Sequence, residues 1–137
     1  MATTLIKNGN VISTTGVIAQ DVLLDGETIR ALGAPGYFTE EGIDRVIDAA
    51  GKYVIPGGVD VHTHMELPFG GTFASDTFET GSRAAAWGGV TTIVDMAVQR
   101  AGENVFDGLA EWHRKADGEC AIDYAFHQII GGVDDES

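Results

Sequence analysis

The sequence has 137 residues and a formal net charge of −13 at pH 7. Such a charge repels phosphate backbones and anionic lipid headgroups, which argues against partners of the nucleic-acid or membrane class. A single cysteine, Cys120, cannot form an internal disulfide, and no secretory signal is recognisable, so we expect a reducing, cytoplasmic compartment. No apolar run approaches the roughly 20 residues that cross a bilayer.

The first fifty residues contain short apolar runs broken by turn dipeptides, a pattern typical of small antiparallel strands. Asn8-Gly9 and Asp25-Gly26 each lie between two such runs and suit turns that require positive φ. Residues 34–42 predict a loop. Two further short strands are predicted in RVIDA and KYVI.

After Pro56 the pattern changes to longer units, in which an apolar strand is followed by a helical segment. The predicted strands are GGVDVHTHM, GVTTIVDMAV and AIDYAFHQII. The second is nearly continuous in apolar residues, which predicts a strand covered on both faces. The order β, α, β, α, β favours a parallel sheet in a doubly wound or barrel architecture.

The two predicted helices have recognisable ends. Asp76 can cap the first helix, with Glu79 completing a capping box, and Gly88-Gly89 ends it. Asn104 can cap the second. Asp134, Asp135, Glu136 and Ser137 resemble the acidic opening turn of a third helix, so we expect the chain to stop within a structural unit.

Two histidines at the end of the first long strand are the strongest chemical feature. His62 and His64 are two residues apart, so in an extended strand they share one face with Asp60 and their imidazoles can converge on one ion. Neutral imidazole is a common ligand of zinc. The alternative is two polar residues that bond to backbone or water, because an open catalytic zinc site ordinarily has three protein ligands and no third is apparent.

A resemblance to a known family begins with AGKYVIPGGVDVHTH, which is similar to the start of the barrel in the amidohydrolase superfamily. The following MELPFGGTFASDTFETGSRAAAWGGVTTIVDMA closely resembles the dihydropyrimidinase and D-hydantoinase branch, and the likeness continues through DGLAEWHRKA and DYAFHQII. Dihydroorotase-like members are expected to carry an arginine shortly after the histidines. Met65, Glu66 and Leu67 stand there instead, which disfavours that branch.

The resemblance implies an α/β fold in two parts. Residues 1–54 would form the N-terminal part of a β-sandwich, and residues 55–137 the first βαβαβ units of a truncated (β/α)8 TIM-like barrel. His62 and His64 match the pair that binds one of two zinc ions. A carboxylated lysine that bridges the ions, two further histidines and a general-base aspartate would lie beyond Ser137, so no catalytic residue is expected in this chain.

The implied reaction is the hydrolytic ring opening of a cyclic amide by a metal-bound hydroxide, within a longer, homotetrameric enzyme. The substrate would be a dihydropyrimidine or a 5-substituted hydantoin, and the product an N-carbamoyl amino acid. Met65, Leu67, Phe69 and Phe73 match a loop that lines the exocyclic substituent of the substrate. The alternative is that these four side chains pack only against protein.

Other polar residues have weaker claims on function. Asp95 ends the second long strand and is expected either to orient a metal ligand from the second shell, like Asp60, or to cap a loop. His127 is interpreted as a buried structural histidine, His113 as a residue of the helix surface, and Cys120 as an inert thiol.

Two other classes of function are compatible with these residues. One is a non-enzymatic dihydropyrimidinase-like scaffold, against which the presence of both His62 and His64 argues. The other is a small autonomous zinc-binding domain. The cyclic amidase is favoured, and the isolated chain is expected to be inactive and to associate through its unpaired strand edges.

Overall fold

The structure, a computed structural model, describes residues 2–133. Contacts between residues divide the chain into two compact units, Met1–Pro56 and Gly57–Ser137. In the part of the chain that is described, the secondary-structure elements of the first unit are all β-strands, and the second unit combines strands with two helices. The predicted helix start at residues 134–137 lies outside the described residues.

The first unit is one five-stranded sheet. Its strands are β1 (Thr3–Ser13), β2 (Gly16–Asp25), β3 (Thr28–Gly33), β4 (Arg45–Asp48) and β5 (Tyr53–Val54). The order is β3-β2-β1-β4, and β5 also pairs with β1. The antiparallel prediction is confirmed for β1, β2 and β3 but is wrong for β4 and β5, which run parallel to β1.

The two predicted turns of the first unit have different outcomes. Asp25-Gly26 does form the turn between β2 and β3, with Gly26 at φ 58°. Asn8-Gly9 does not form a turn, because β1 continues through it with a register shift. Asn8 takes φ 61°, so the positive φ that its sequence favours serves a β-bulge instead.

A buried aspartate stabilises this bulge. Asp21 is 1% exposed and accepts a hydrogen bond from the Asn8 amide at 2.8 Å through Oδ1. Its Oδ2 accepts one from the Gly36 amide at 2.7 Å. One carboxylate therefore ties the bulge in β1 to the loop that follows β3.

One face of this sheet is apolar and open. Buried apolar side chains are few and include Leu5 and Val22. A cavity of about 520 Å³ is lined by residues from β1, β2, β3 and β5 and by the two residues after β5, including Ile6, Val11, Leu24, Ile29, Leu32 and Ile55. Ile29 is 64% exposed and Ile55 65% exposed, so this face lacks a covering layer among the residues described.

The second unit alternates strands and helices in the predicted order. Its elements are β6 (Gly58–Thr63), β7 (Pro68–Phe69), β8 (Thr72–Phe73), α1 (Phe78–Trp87), β9 (Val90–Val98), α2 (Val105–Ala116) and β10 (Asp123–Ile129). Strands β10, β9 and β6 form a parallel sheet in that order, and β7 and β8 form a small antiparallel hairpin.

Both helices begin with a capping side chain. Helix α1 is capped by Thr77, which forms a capping box with Thr80, so the prediction of Asp76 and Glu79 is wrong by one residue. Hydroxyl groups serve here as well as a carboxylate would. Helix α2 is capped by Asn104, as predicted, and Gly88 caps the end of α1. Within the described residues, neither helix has the length and apolar character that a membrane span requires.

The helices cover one face of the parallel sheet. Ile93 and Ala97 of β9 are fully buried with Trp112 of α2, whereas Val59 and Val61 of β6 are 59% and 58% exposed. Alternate residues of β9 are only partly buried. The prediction that β9 is covered on both faces is therefore wrong for the residues described, because its second face is only partly buried.

Candidate metal centre

The two predicted metal ligands lie close together at the carboxyl end of β6. The Nε2 atoms of His62 and His64 are 3.1 Å apart, and the ring centroids are 4.9 Å apart with the planes inclined at 75°. Both residues are exposed. Two nitrogen ligands at about 2.0–2.1 Å from a tetrahedral zinc ion lie roughly 3.3 Å apart. The pair can therefore share either one proton or one metal ion.

The donor set fits zinc but is incomplete. Neutral imidazoles are ordinary zinc ligands, whereas magnesium and calcium take oxygen. Among residues 2–133, no group of three or more histidine, cysteine, aspartate or glutamate side chains is arranged to hold a metal ion. The described chain thus offers two of the three or four ligands that a zinc site requires.

Asp60 contacts the backbone of the pair and does not extend its set of ligands. Its Oδ1 accepts a hydrogen bond from the His62 amide at 3.1 Å. A register shift between Asp60 and Thr63 interrupts the alternation of β6 against β9. The expectation that Asp60 shares the face of the histidines rested on unbroken alternation, so the spacing of these residues no longer supports it.

Asp95 lies beneath the pair, on the side of the sheet that the helices cover. It is 0% exposed, and its Oδ2 accepts hydrogen bonds from the Thr63 hydroxyl and the Met65 amide, both at 2.8 Å. Its Oδ1 accepts one from the indole Nε1 of Trp112 at 3.0 Å. Because Thr63 and Met65 flank His64, this carboxylate holds the residue on each side of a candidate ligand, one by its hydroxyl and the other by its amide.

The four residues predicted to bind substrate fall into two pairs. Met65 is 9% exposed and belongs to the core, where Leu67 packs against it. Phe69 and Phe73 are 79% and 65% exposed. Met65 and Leu67 therefore pack against protein, which was the alternative considered for all four residues. The two phenylalanines are free to contact a ligand.

The exposed phenylalanines lie on the β7–β8 hairpin, an element that the sequence reasoning interpreted as a loop. Gly70 and Gly71 form its two-residue turn with φ values of 59° and 82°. Two positive φ values in succession are what a type I′ hairpin turn requires. The Gly-Gly dipeptide between Phe69 and Thr72 is the sequence signal from which this hairpin could have been predicted.

The segment after the histidines is also tied to α2. Glu66 takes φ 51°, an uncommon value for a residue with a side chain, and its carboxylate lies 4.0 Å from Lys115 Nζ. Lys115 also pairs with Glu111 at 3.6 Å and lies 4.3 Å from the centroid of the Trp112 ring. Helix α2 thus contacts this segment through an ion pair as well as through Asp95.

Comparison with known proteins identifies the family. The model of the amidohydrolase family matches residues 45–120, which is more than half of the chain. This chain belongs to the amidohydrolase family.

Among the relatives of this amidohydrolase chain, D-hydantoinase of Streptomyces coelicolor is 57% identical over 136 residues, 98% of this chain and 29% of that protein. Dihydropyrimidinase of Rattus norvegicus is 40% identical over 129 residues, 92% of this chain and 25% of that protein. A crystal structure of dihydropyrimidinase from Brevibacillus agri superposes with a TM-score of 0.90 at 44% identity, covering 97% of this chain and 28% of that one. The chain therefore spans less than a third of the length of these relatives.

The remaining candidates of this amidohydrolase chain lie apart from the pair or are unreactive. His127 on β10 is exposed, so the prediction of a buried structural histidine is wrong; the face it lies on is the one left uncovered. The His113 ring packs edge-on against Phe126, with centroids 4.9 Å apart, and its side chain is 51% exposed. Burial raises the pKa of the Cys120 thiol to about 11, as expected of an inert thiol.

Proposed function

We propose that this chain is part of a zinc-dependent cyclic amidase that opens dihydropyrimidine or 5-substituted hydantoin rings to N-carbamoyl amino acids. The observation that carries the proposal is the convergence of His62 and His64, with Nε2 atoms 3.1 Å apart, at the carboxyl end of a parallel strand. The names of the similar proteins, D-hydantoinase and dihydropyrimidinase, supply the substrate class.

The fold that accompanies this function is a β-sandwich and a (β/α)8 barrel. We propose that residues 1–54 supply part of the sandwich and residues 55–137 the first units of the barrel. The open faces support this proposal. Ile29 and Ile55 in the first unit, and Val59 and Val61 in the second, leave apolar sheet faces that further strands would cover.

His62 and His64 are the residues of this chain that would hold a metal ion. A zinc ion held there would lower the pKa of a coordinated water to about 7 and would polarise a carbonyl oxygen. In this proposal a second ion, a carboxylated lysine and a general-base aspartate would complete the site from outside these 137 residues. Because those groups are proposed to lie outside these 137 residues, the chain alone is proposed to be inactive.

The neighbouring residues of the chain have supporting roles in this proposal. Asp60 and Asp95 fix the backbone that carries the imidazoles through the hydrogen bonds described above. Phe69 and Phe73, exposed on their hairpin, line the exocyclic substituent of the substrate. A homotetramer is the assembly that the resemblance implies.

Metal binding by the purified chain tests this proposal. We expect the wild-type chain to bind one zinc ion per molecule in isothermal titration calorimetry, weakly because two ligands are supplied. We expect the His62→Asn, His64→Asn double variant to bind none. Zinc binding that is unchanged in the double variant would contradict the assignment.

Activity of the chain gives an independent test. Hydrolysis of dihydrouracil or hydantoin is measured as the loss of ring absorbance in the ultraviolet. We expect the chain to hydrolyse neither compound, with or without zinc. Turnover in proportion to added zinc would show that the two histidines suffice and would contradict the proposed incompleteness of the site.

A further inference from the structure

The side of β6 opposite the imidazoles is fixed by a single oxygen atom. Thr63 lies between the two histidines in sequence, and its hydroxyl donates to Asp95 Oδ2 at 2.8 Å. The Met65 amide donates to the same oxygen at 2.8 Å. Both chain neighbours of His64 are therefore held by one atom, across an irregular part of the sheet where the ladder itself is interrupted.

The other oxygen of this carboxylate is held by a tryptophan. Trp112 Nε1 donates to Asp95 Oδ1 at 3.0 Å, and the two side chains are 1% and 0% exposed. A carboxylate bonded at only one oxygen can rotate about its Cβ–Cγ bond. Donors on both oxygens stop that rotation, and in a water-excluded environment each bond is stronger than it would be at the surface.

The indole is itself fixed from the helix that carries it. Lys115 lies one turn further along α2, with Nζ 4.3 Å from the centroid of the Trp112 ring. Its ammonium group is held by Glu111 at 3.6 Å and by Glu66 at 4.0 Å. The orientation of the indole N–H is thus set by packing in the core and by an ion-pair network whose lysine lies over the face of the ring.

We propose that Trp112 is a positioning residue for the histidine pair and that it acts through the carboxylate of Asp95. This inference rests on the proposed metal centre and deepens it, because it names the groups that set the direction of both imidazoles. A hydrogen-bonded chain runs from helix α2 through one carboxylate to the Thr63 hydroxyl and the Met65 amide, on either side of His64.

Core packing alone does not account for this arrangement. A buried indole N–H needs a partner, but any backbone carbonyl would satisfy it. Here the partner is the one carboxylate that also bonds Thr63 and Met65. Phe78 is equally buried in the same core cluster and has no polar group, so it packs without taking part in this chain of hydrogen bonds.

Trp112→Phe removes the donor while keeping an aromatic ring in the core. Thr63→Val removes the hydroxyl that links Asp95 to the segment between the histidines. Phe78→Leu is the matched control, because it weakens the same core without touching these hydrogen bonds. The 137-residue chain carries each substitution, and circular dichroism establishes that each variant is folded at the temperature of measurement.

The first readout needs no metal. In the wild-type chain, the 3.1 Å approach of the two Nε2 atoms predicts a nuclear Overhauser contact between the rings of His62 and His64. We expect that contact to weaken or vanish in Trp112→Phe and in Thr63→Val and to persist in Phe78→Leu. A merely structural role for Trp112 predicts the same outcome for Trp112→Phe and Phe78→Leu.

The second readout is affinity for Co²⁺ or Zn²⁺, measured by titration. Loss of a group that orients a metal ligand typically lowers affinity about 10- to 100-fold. We expect metal affinity to fall roughly tenfold in Trp112→Phe, because Trp112 acts through Asp95 and not on the ligands directly. We expect no change of affinity in Phe78→Leu. The visible spectrum of bound Co²⁺ should change in Trp112→Phe but not in Phe78→Leu.

The outcomes separate this inference from the proposed metal centre. A ring-to-ring contact that depends on Trp112 in a chain that binds no metal supports the positioning role and contradicts the metal centre. A contact and an affinity that are unchanged in both Trp112→Phe and Thr63→Val overturn the positioning role. Absence of the contact from the wild-type chain overturns it as well.

Discussion

Among residues 2–133, each unit of the molecule contains one fully buried aspartate, and the two make an informative comparison. Asp21 and Asp95 are 1% and 0% exposed, and each uses both oxygens as acceptors beside a strand with an irregular register. Asp21 bonds the amides of Asn8 and Gly36. The partners of Asp95 are instead an indole and the two residues that flank a candidate metal ligand.

The comparison shows that burial and hydrogen bonding do not by themselves mark a functional aspartate. Both carboxylates satisfy backbone groups that the irregular strands leave without partners, which is a structural role. What differs is the segment that is held: a bulge and a loop for Asp21, and the segment that carries His64 for Asp95. The functional assignment therefore depends on the neighbouring imidazoles.

The largest effect is expected from replacing each aspartate by asparagine. An amide offers one acceptor oxygen where the carboxylate offers two, so each variant leaves a buried donor without its partner. We expect the free energy of unfolding to fall by about 3 kcal/mol in Asp95→Asn and by about 2 kcal/mol in Asp21→Asn. Urea denaturation measures both values.

Metal affinity then separates the two variants. We expect zinc affinity to fall about 10- to 100-fold in Asp95→Asn and to stay unchanged in Asp21→Asn. Equal losses of affinity in the two variants would mean that destabilisation alone is responsible, and the distinction between the two aspartates would be lost.

A pair of glycine substitutions repeats the comparison by overpacking. A Cβ at Gly81 would lie 2.2 Å from Met65 Sδ, and one at Gly9 would lie 2.5 Å from Val54 Cγ2. We expect Gly9→Ala to lose about 1–3 kcal/mol of stability, because Val54 is β-branched and stiff. We expect Gly81→Ala to lose less, because the flexible Met65 side chain can move aside.

These glycine variants also differ in their expected effect on the histidines. Met65 follows His64 directly, so Gly81→Ala should disturb the ring-to-ring contact in proton NMR spectra, whereas Gly9→Ala should leave it intact. If Gly9→Ala also weakened the contact between the two rings, a general loss of stability would be enough to disturb the histidines.

The reactivity of Cys120 reports on the charge of Asp95. The pKa of this thiol is raised from 9.0 to about 11. Desolvation is the largest cause of the rise, and the charge of Asp95 is the second. A raised pKa means less thiolate at a given pH, so alkylation by iodoacetamide at pH 8 should be about 100-fold slower than for a thiol of unshifted pKa.

Substitution of each aspartate sharpens that test. Asp95→Asn removes one cause of the shift, so the pKa of Cys120 should fall and its alkylation should become several-fold faster. Asp21→Asn should leave the rate unchanged, because Asp21 is not among the groups that shift this thiol. A rate that responds to neither variant would contradict the electrostatic contribution of Asp95.

The smallest effect is expected from the charged side chains around these regions. Lys115 is 15% exposed and contacts both the Trp112 ring and Glu111, so Lys115→Gln should cost about 1 kcal/mol of stability. The Arg30–Asp25 pair in the first unit is exposed, with 3.7 Å between its charged atoms, and Arg30→Gln should change stability by less than about 0.5 kcal/mol. Thermal denaturation resolves the difference.

Features that depend on local sequence could be predicted. The apolar periodicity of the second unit gave β6, α1, β9, α2 and β10 in order, and Asn104 was correctly identified as a cap, because caps and periodicity involve residues within one turn or strand. The approach of His62 to His64 is local in the same sense, since both belong to one extended segment.

Features that depend on distant residues could not be predicted. Asp95 meets Trp112 across 17 residues and Thr63 across 32, and no spacing rule connects such positions. The bulge at Asn8 depends on the register of β1 against β2, and a positive φ serves a bulge as well as a turn. The exposure of His127 depends on whether other chain covers that face of the sheet, which composition does not reveal.

Anomalous scattering from a crystal of the chain soaked in zinc would locate the metal directly. We expect one peak about 2.0–2.1 Å from the Nε2 atoms of both His62 and His64. Asp95 should still bond the backbone beside them, as it does without metal. Imidazoles that point apart, or a zinc peak elsewhere with none between them, would contradict the proposed metal centre.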